Sequence, residues 1–541
     1  MIKESFESVV LSSLARVFPE ERPKHSPIEG ISILKGEFGA FQFAFSTSMH
    51  IHGLKVRLTS ELDAKVFWED LVPGKFPSYD LGDPDLLRRV PALYPDILRP
   101  AESIYALPGQ WKTLWIEVCS DKAGEYPVTV EISYGDEVVA CGSVTVKVAD
   151  AVLPPQSLIH TNWFHTDCLS TYYNVEVFSE EYWRITEEYM RCARDHGVNM
   201  ILTPTFTPAL DTEVGHERPT VQLVDVEKTA EGYRFNLDKL GRWFDTAQRV
   251  GIEYFEIAHF FTQWGAAHTP KVMAHTPDGY RRIFGWETDA LDPEYKSFLA
   301  AFARAFIPFV EERGLKERCY LHVSDEPSLK IFDDYAAASA IIRELFPGFV
   351  IMDAISDYEF YSKGTMDLPI PSSCSIDPFI ENGVEGLWTY YCCGVKRGVS
   401  NRFLSYPSVR NRALGIQLYK FNIKGFLQWG HNFWYGVKSL YRIDPFADTD
   451  GNGSWPSGDP FMVYPGEDGR PLVSLRFKVF REALQDMRAL ELLESLVGRE
   501  KTLSILEEGL ETPLAFDTTP TDDVWLTDMR ARVNKAITEN S

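Results

Sequence analysis

Residues Cys319–Pro327 read CYLHVSDEP, and the way this stretch ends decides how the chain is read. Tyr320, Leu321 and Val323 have the character of a short buried strand. Asp325 and Glu326 stand where that strand stops, just before Pro327. Buried strands rarely finish on two carboxylates for packing reasons alone. In proteins built of alternating strands and helices, the C-terminal ends of strands are where reactive groups collect.

The same pattern recurs on either side. Further candidate strands are LIHTNWFH (158–165), NMILTP (199–204), YFEIAHFF (254–261), FVIMDAIS (349–356), CSIDPFI (374–380), GLWTYYCC (386–393) and GFLQWGHNFW (425–434). Helical stretches lie between most of them, at 180–196, 237–250, 294–313 and 332–345. Strands alternating with helices predict a parallel sheet. Eight such units predict an α/β fold, a (β/α)8 TIM-type barrel with insertions. Many of the strands end in polar or aromatic groups: Asn162, Trp163 and His165; His259; Asp325 and Glu326; Asp377; Tyr390 and Tyr391; Trp429, His431 and Asn432. A barrel would bring all of these to one rim.

Before the barrel, the pattern is that of antiparallel strands. Val128, Val130, Ile132 and Tyr134 alternate with polar residues, Gly135-Asp136 makes a turn, and Val144, Val146 and Val148 alternate again. An N-terminal antiparallel β-sandwich over residues 1–150 is expected, joined by AVLPP (151–155) to a barrel spanning 151–496. Helix is expected at 474–496, 499–511 and 521–538, so residues 497–541 form a C-terminal helical segment.

With 541 residues, 45% hydrophobic and 24% charged, the chain has the composition of a soluble globular protein with a large core. Its formal net charge of -24 argues against nucleic acid or an anionic membrane surface as a partner. Aromatic residues make up 13%, including 13 Trp and 24 Tyr, and sugars stack on such faces. The opening MIKESFESVV carries early acidic residues and no unbroken apolar run, so no signal peptide is read and a cytoplasmic protein is expected. No stretch is long and apolar enough to span a membrane. The 8 Cys have neither metal-ligand nor disulfide-framework spacing, and adjacent Cys392 and Cys393 suit reduced thiols.

Adjacent residues on a regular strand face opposite ways. For Asp325 and Glu326 to share a pocket, the strand must end or twist between them, and Pro327 favours this. Two like charges held close raise the proton affinity of at least one, which makes a general acid near neutral pH. Retaining glycosidases of the usual kind place two carboxyl groups about 5–5.5 Å apart across the scissile bond. Neighbouring residues are badly placed for that. They suit a substrate-assisted mechanism, in which a sugar's own 2-acetamido oxygen attacks the anomeric carbon. The plainer alternative is that Asp325 and Glu326 only cap a following helix.

Over residues 155–495 the chain resembles the catalytic domain of glycoside hydrolase family 123, the β-N-acetylgalactosaminidases and their relatives. The segments that carry the resemblance are TNWFHTDCL (161–169), TPTFTPALDT (203–212), HFFTQWGAAHTP (259–270), FGWET (284–288), HVSDEP (322–327), LWTYYCC (387–393), SNRF (400–403), FLQWGHNFW (426–434) and WPSGDPFMVYPG (455–466). The resemblance implies that Asp325 positions and polarises the 2-acetamido group and that Glu326 is the acid/base. It implies a Tyr on the acetamido oxygen, with Tyr358, Tyr390 and Tyr391 as candidates. It also implies Trp rings around the acetamido methyl group, from among Trp388, Trp429 and Trp434. The activity expected is a retaining exo-β-N-acetylgalactosaminidase acting on glycans with terminal β-linked GalNAc. The alternatives are a β-N-acetylglucosaminidase, another glycosidase of the same fold, or a non-catalytic glycan-binding protein.

Asn162, His165, His259 and Asn432 are further candidates for binding sugar hydroxyls. His165 with Asp167, or His259, could instead serve a metal, but their scattered spacing makes a metal or other cofactor unexpected. DTDGNGSWPSGD (448–459) begins like a calcium loop and reads better as a turn-rich loop over the barrel mouth. Lys396, Arg397, Arg402, Arg410 and Arg412 read as a salt-bridging cluster rather than an anion site.

Overall fold

The computed structural model describes residues 2–101, 103–394 and 397–541. Its centre is an eight-stranded parallel sheet: β1 (Ile159–Asn162), β2 (Met200–Thr203), β3 (Tyr254–Ile257), β4 (Cys319–Leu321), β5 (Val350–Ala354), β6 (Leu368–Ile370), β7 (Trp388–Tyr390) and β8 (Gly425–Gln428). The hydrogen-bonded order is β6-β5-β4-β3-β2-β1-β8-β7. The ring closes between its two ends, where Tyr390 N–H donates to Pro371 O at 3.1 Å and Ser373 N–H donates to Tyr390 O at 2.8 Å. This is the predicted (β/α)8 barrel.

Strand parity explains which residues fill it. Met200, Leu202, Met352, Ala354, Ile370, Trp388, Tyr390 and Leu427 form one buried cluster inside the ring. Phe255, Ile257, Leu321, Ile351 and Phe426 alternate with them and join the larger core beneath the helices. Gly425 belongs to this packing: a Cβ there would lie 2.0 Å from the Trp388 ring, so the indole and a side chain cannot share the site.

The helices between strands are α1 (Glu180–Asp195), α2 (Asp238–Val250), α3 (Pro293–Glu312), α4 (Phe332–Leu345) and α5 (Ser408–Lys420). Ser179 caps α1 through Tyr182 N–H, and Asp292 caps α3 through Glu294 and Tyr295 N–H. Only short helices follow β5 and β6, at Tyr358–Ser362 and Asp377–Glu381. Insertions after β2 and β3 pair into a four-stranded sheet.

The sixth strand is not where the sequence pattern placed it. CSIDPFI (374–380) was expected as strand, but β6 is the three-residue Leu368–Ile370, and Asp377 opens a short helix instead. Pro378 sits in the first turn of that helix, where its missing N–H costs nothing and its fixed φ suits the helix.

Two five-stranded sheets precede the barrel. In one, strands 6–12, 38–47, 112–119, 63–74 and 92–100 lie side by side in that order. In the other the order is 30–35, 137–152, 124–134, 51–59 and 103–106. Pairing is antiparallel throughout, except where 30–35 runs parallel to 145–152. The predicted hairpin forms, with Val144 opposite Val128. Val128, Val130 and Ile132 meet Phe41, Phe43 and Ile116 of the facing sheet in a separate core.

The long helix α6 (Leu475–Val497) and the last helix α7 (Asp523–Asn540) follow the barrel. The helix expected at 499–511 stops at Leu506. Buried charges join the layers: Arg412 and Arg530 share Asp486, and Arg530 also reaches Glu37 of the sandwich. The rest of the basic cluster is likewise spent on structure. Arg410 pairs with buried Asp83, Arg397 with Asp80, and Arg402 donates to the Gly430 and Asp459 carbonyls. Lys396 lies outside the described residues. Among the described residues, no helix is long and apolar enough to cross a membrane.

Candidate active site

The C-terminal ends of the strands surround a cavity of about 170 Å³. Its walls come in sequence from nearly every strand end: Trp163 and His165 after β1, Asp211 after β2, Trp264 after β3, Asp325 and Glu326 after β4, Tyr390 and Cys392 from β7, and Trp429 and Phe433 after β8. Trp455, from the loop that read like a calcium site, adds a further wall.

Both members of the carboxylate pair open onto this one space. Glu326 achieves it with a left-handed backbone, φ 42°, which breaks the alternation a strand would impose. Neighbouring loops hold the turn: Trp264 N–H donates to Asp325 O at 2.7 Å and Glu326 N–H to Ala354 O at 3.2 Å. Such conformations cost roughly 1–3 kcal/mol and persist where the surroundings over-determine them. Asp325 is half-buried and Glu326 lies at the mouth. Burial, then the Glu326 charge, pushes the Asp325 carboxyl well above the usual carboxylate range. The Tyr390 hydroxyl donates to Glu326 Oε1.

Beneath the turn lies a buried ionic cluster. His322 Nε2 is 2.5 Å from Glu256 Oε1, and His322 Nδ1 is 2.8 Å from Asp353 Oδ1. Both nitrogens face carboxylate oxygens, and the two carboxylates favour the imidazolium, pushing the pKa of the ring up to about 10 against the opposing effect of burial. His259 stacks on it with ring centroids 4.2 Å apart. Burial and the His322 charge hold His259 neutral, well below the ordinary imidazole range. Among the described residues, His259, His322 and Asp353 form the one His/Cys/Asp/Glu grouping close enough to surround a metal ion. Both His322 nitrogens are already engaged by carboxylate oxygens.

A third carboxylate, Asp211, lines the cavity and also has positive φ, 42°. Burial pushes it up to about 6. Its Oδ2 accepts Lys438 N–H at 3.0 Å, and Ser439 Oγ donates to its carbonyl at 2.7 Å. Asp459 stands behind the aromatic wall, where Trp429 Nε1 donates to its Oδ2 at 2.9 Å. The other carboxylates of that loop turn inward on it: Asp448 accepts Asp450 and Asn452 N–H, and Asp450 accepts Gly453 N–H.

Of the residues proposed from the sequence for catalysis or sugar binding, Asp325, Glu326, His165, Tyr390 and Trp429 meet at the cavity. The structure sets the others apart from it, for identifiable reasons. Asn162 and Tyr391 have the opposite strand parity from Trp163 and Tyr390. Asn162 therefore faces Phe477 and Phe480 of α6, and Tyr391 packs on Phe426. His259 lies under the floor on His322. Asn432 spends its amide on the His165 backbone, accepting N–H at 2.9 Å and donating to O at 3.0 Å, and so pins the β1 and β8 ends together. Trp434 is buried against Tyr172 and Tyr189, and Trp388 fills the barrel interior. Tyr358 packs on Phe379 from its short helix. His165 is neutral, pushed down to about 3 by burial and by Arg218; Arg218 donates to its Nδ1 and its Nε2–H points at Trp429 O at 2.9 Å.

The glycoside hydrolase 123 catalytic-domain model matches residues 163–493, more than half of the chain and every wall of the cavity. The chain belongs to this family. It is a glycoside hydrolase. A family 123 glycoside hydrolase from Clostridium perfringens, whose structural analysis concerned glycolipid glycan hydrolysis, superposes with a TM-score of 0.74 at 16% identity, covering 99% of this chain and 97% of that one. This likeness extends the shared fold over the sandwich and the C-terminal helices as well as the barrel. A GH5 xyloglucanase from Bacteroides ovatus matches at TM-score 0.31 and 8% identity (84% of this chain, 98% of that one). A family 39 glycoside hydrolase from Bacteroides cellulosilyticus matches at TM-score 0.31 and 10% identity (80% of each chain). The search of curated proteins found no match.

Proposed function

We propose that this glycoside hydrolase removes terminal β-linked N-acetylgalactosamine from glycans, exo-acting and with retention, by substrate-assisted catalysis. The observation that carries the reading is the left-handed turn at Glu326, which lets two adjacent carboxylates share one cavity. In the first step the acetamido oxygen attacks the anomeric carbon as the bond to the leaving oxygen breaks. Glu326 gives that oxygen its proton. Asp325 accepts the acetamido N–H and stabilises the positive charge that develops on the oxazoline. In the second step Glu326 takes a proton from water, the water oxygen attacks the same face, and the β-anomer returns. The pair enters this cycle holding one proton. An acetamido N–H arriving at Asp325 stabilises its charged form, which leaves the proton on Glu326, where the leaving group needs it.

The surroundings support the same reading. A cavity of about 170 Å³ with aromatic walls suits a single acetamido sugar rather than an extended chain. Trp429, Phe433 and Trp455 offer apolar faces to the methyl group, and Tyr390 steadies Glu326. The glycolipid glycan context of the Clostridium perfringens relative supports a glycolipid glycan as the substrate class.

The test is a panel of aryl β-GalNAc, β-GlcNAc and unacetylated β-galactosides, with the product anomer followed by NMR. The expected result is turnover of the acetamido sugars, GalNAc first, with β product formed initially. Glu326→Gln should lose turnover of poor leaving groups and keep that of activated aryl glycosides. Comparable hydrolysis of the unacetylated galactoside, or full activity in Glu326→Gln, would overturn the assignment.

A further inference from the structure

Asp353 accepts Val323 N–H and Ser324 N–H, both at 3.2 Å, and the hydroxyl of Tyr335 from α4. These are the two peptide groups immediately before the carboxylate pair. Glu256 accepts the indole N–H of Trp163, a cavity wall, at 2.6 Å, and the Thr161 hydroxyl. His322 ties the two carboxylates together, and all three side chains are wholly buried. Three adjacent strands, β3, β4 and β5, thus each contribute one charge to a single unit.

Packing alone does not call for such an arrangement. Apolar side chains of similar volume in place of a buried ionic triad are often as stable or more so, because desolvation costs several kcal/mol per ion. A cluster retained directly under the cavity, spending its hydrogen bonds on the backbone of the acidic turn and on a wall residue, has a task beyond filling space.

We propose that Glu256, His322 and Asp353 are positioning residues for the Asp325–Glu326 turn. Asp353 fixes its backbone, Glu256 fixes Trp163 beside it, and the His322 cation lies beneath to favour the charged form of Asp325. The inference rests on the reading of the pair as the catalytic carboxylates. It adds a reason why Asp325, crowded by Glu326, can still ionise to receive an acetamido N–H. The titratable groups that line the cavity with Asp325 are Glu326 on its own turn, neutral His165 after β1, Asp211 after β2, and Tyr390, Cys392 and Cys393 at β7; Glu256, His322 and Asp353 act on it from the cluster beneath. All of the nearby carboxylates oppose its ionisation. Within this set and the cluster beneath, His322 is the one cation, and its charge draws the proton affinity of Asp325 down.

The test is the pH dependence of kcat/KM for an aryl β-GalNAc in wild type and in His322→Gln. Its acidic limb reports the free enzyme's essential base. Without the cation, that limb should move to higher pH by about one unit. The kcat should fall by roughly 100-fold as the turn loosens, with KM little changed. A folded His322→Gln whose acidic limb stays in place would overturn the proposal, whatever its kcat. Should that variant not fold, neutron diffraction of the wild type at pH 7 decides. Protons on both His322 nitrogens are expected, and a neutral ring would overturn the proposal. Glu326→Gln separates the two layers: full activity there would sink the catalytic reading while leaving the His322 protonation result standing by itself.

Discussion

Arg218 offers a severe test of how the cavity is held together. Its guanidinium forks onto Asp167 at 2.8 and 2.7 Å, donates to Leu210 O at 3.2 Å and to His165 Nδ1 at 3.2 Å, and lies between the rings of Phe433 and Tyr435, 5.4 and 5.3 Å from their centroids. It thereby joins the loops after β1, β2 and β8 at points next to His165, Asp211 and Phe433, three residues of the cavity wall. Both Arg218 and Asp167 are only 3% exposed. Arg218→Met keeps most of the volume and removes the charge, leaving Asp167 buried and unpaired. Breaking a buried pair in this way costs about 3–5 kcal/mol. The double variant Arg218→Met/Asp167→Leu removes the orphan charge and should lose clearly less than the single one, about 1–2 kcal/mol, since replacing both partners by apolar groups is often near neutral. Urea unfolding followed by Trp fluorescence, run as a double-mutant cycle, measures both. In the single variant kcat/KM should fall at least about tenfold, because a displacement of even about 1 Å at the walls is costly. A loss under about 1 kcal/mol for Arg218→Met, or a double variant worse than the single, would refute this reasoning.

Asp211→Asn should raise KM for an aryl β-GalNAc about tenfold with kcat nearly unchanged, the loss expected when one charged hydrogen bond to a bound hydroxyl is weakened. It should also remove any inflection in KM near pH 6; an unchanged KM would mean that Asp211 does not touch the sugar. His322, raised to about 10 in the folded protein, contributes stability that is fully present below the unfolded imidazole value of about 6.5. That contribution is lost as pH climbs through 10, so urea midpoints should fall between pH 7 and 10, and His322→Gln should flatten the slope; a midpoint rising over this range would contradict the charged assignment.

The barrel was legible because most of its strands are continuous apolar runs bounded by clear helices, as in NMILTP and FVIMDAIS. LPI (368–370) escaped because three residues, one of them Pro369 and with Pro371 next, carry neither alternation nor length, while CSIDPFI mimics a strand that Pro378 turns into a helix. The carboxylate pair stood out as charge at the end of a strand. What the sequence could not supply was parity. Trp163 and Asn162, or Tyr390 and Tyr391, differ only in which way the pleat sends them, and that depends on pairing across the barrel. Asp211, Trp264 and Trp455 were missed because they sit on long loops whose path follows from tertiary contacts. Glu256 and His322 did leave a signal, a charged or ionisable group inside the otherwise apolar runs YFEIAHFF and CYLHV. Read as a buried charge in need of a partner, each would have pointed to the other.

The most direct measurement varies the substrate rather than the enzyme. Aryl β-GalNAc analogues bearing N-acetyl, N-fluoroacetyl, N-difluoroacetyl and N-trifluoroacetyl groups differ little in size but progressively lose nucleophilicity at the carbonyl oxygen. If that oxygen attacks the anomeric carbon while Asp325 holds the N–H, kcat/KM falls steeply with each fluorine, and Asp325→Asn blunts the trend. A flat series would mean that the sugar supplies no nucleophile and that Asp325 and Glu326 divide the work in some other way.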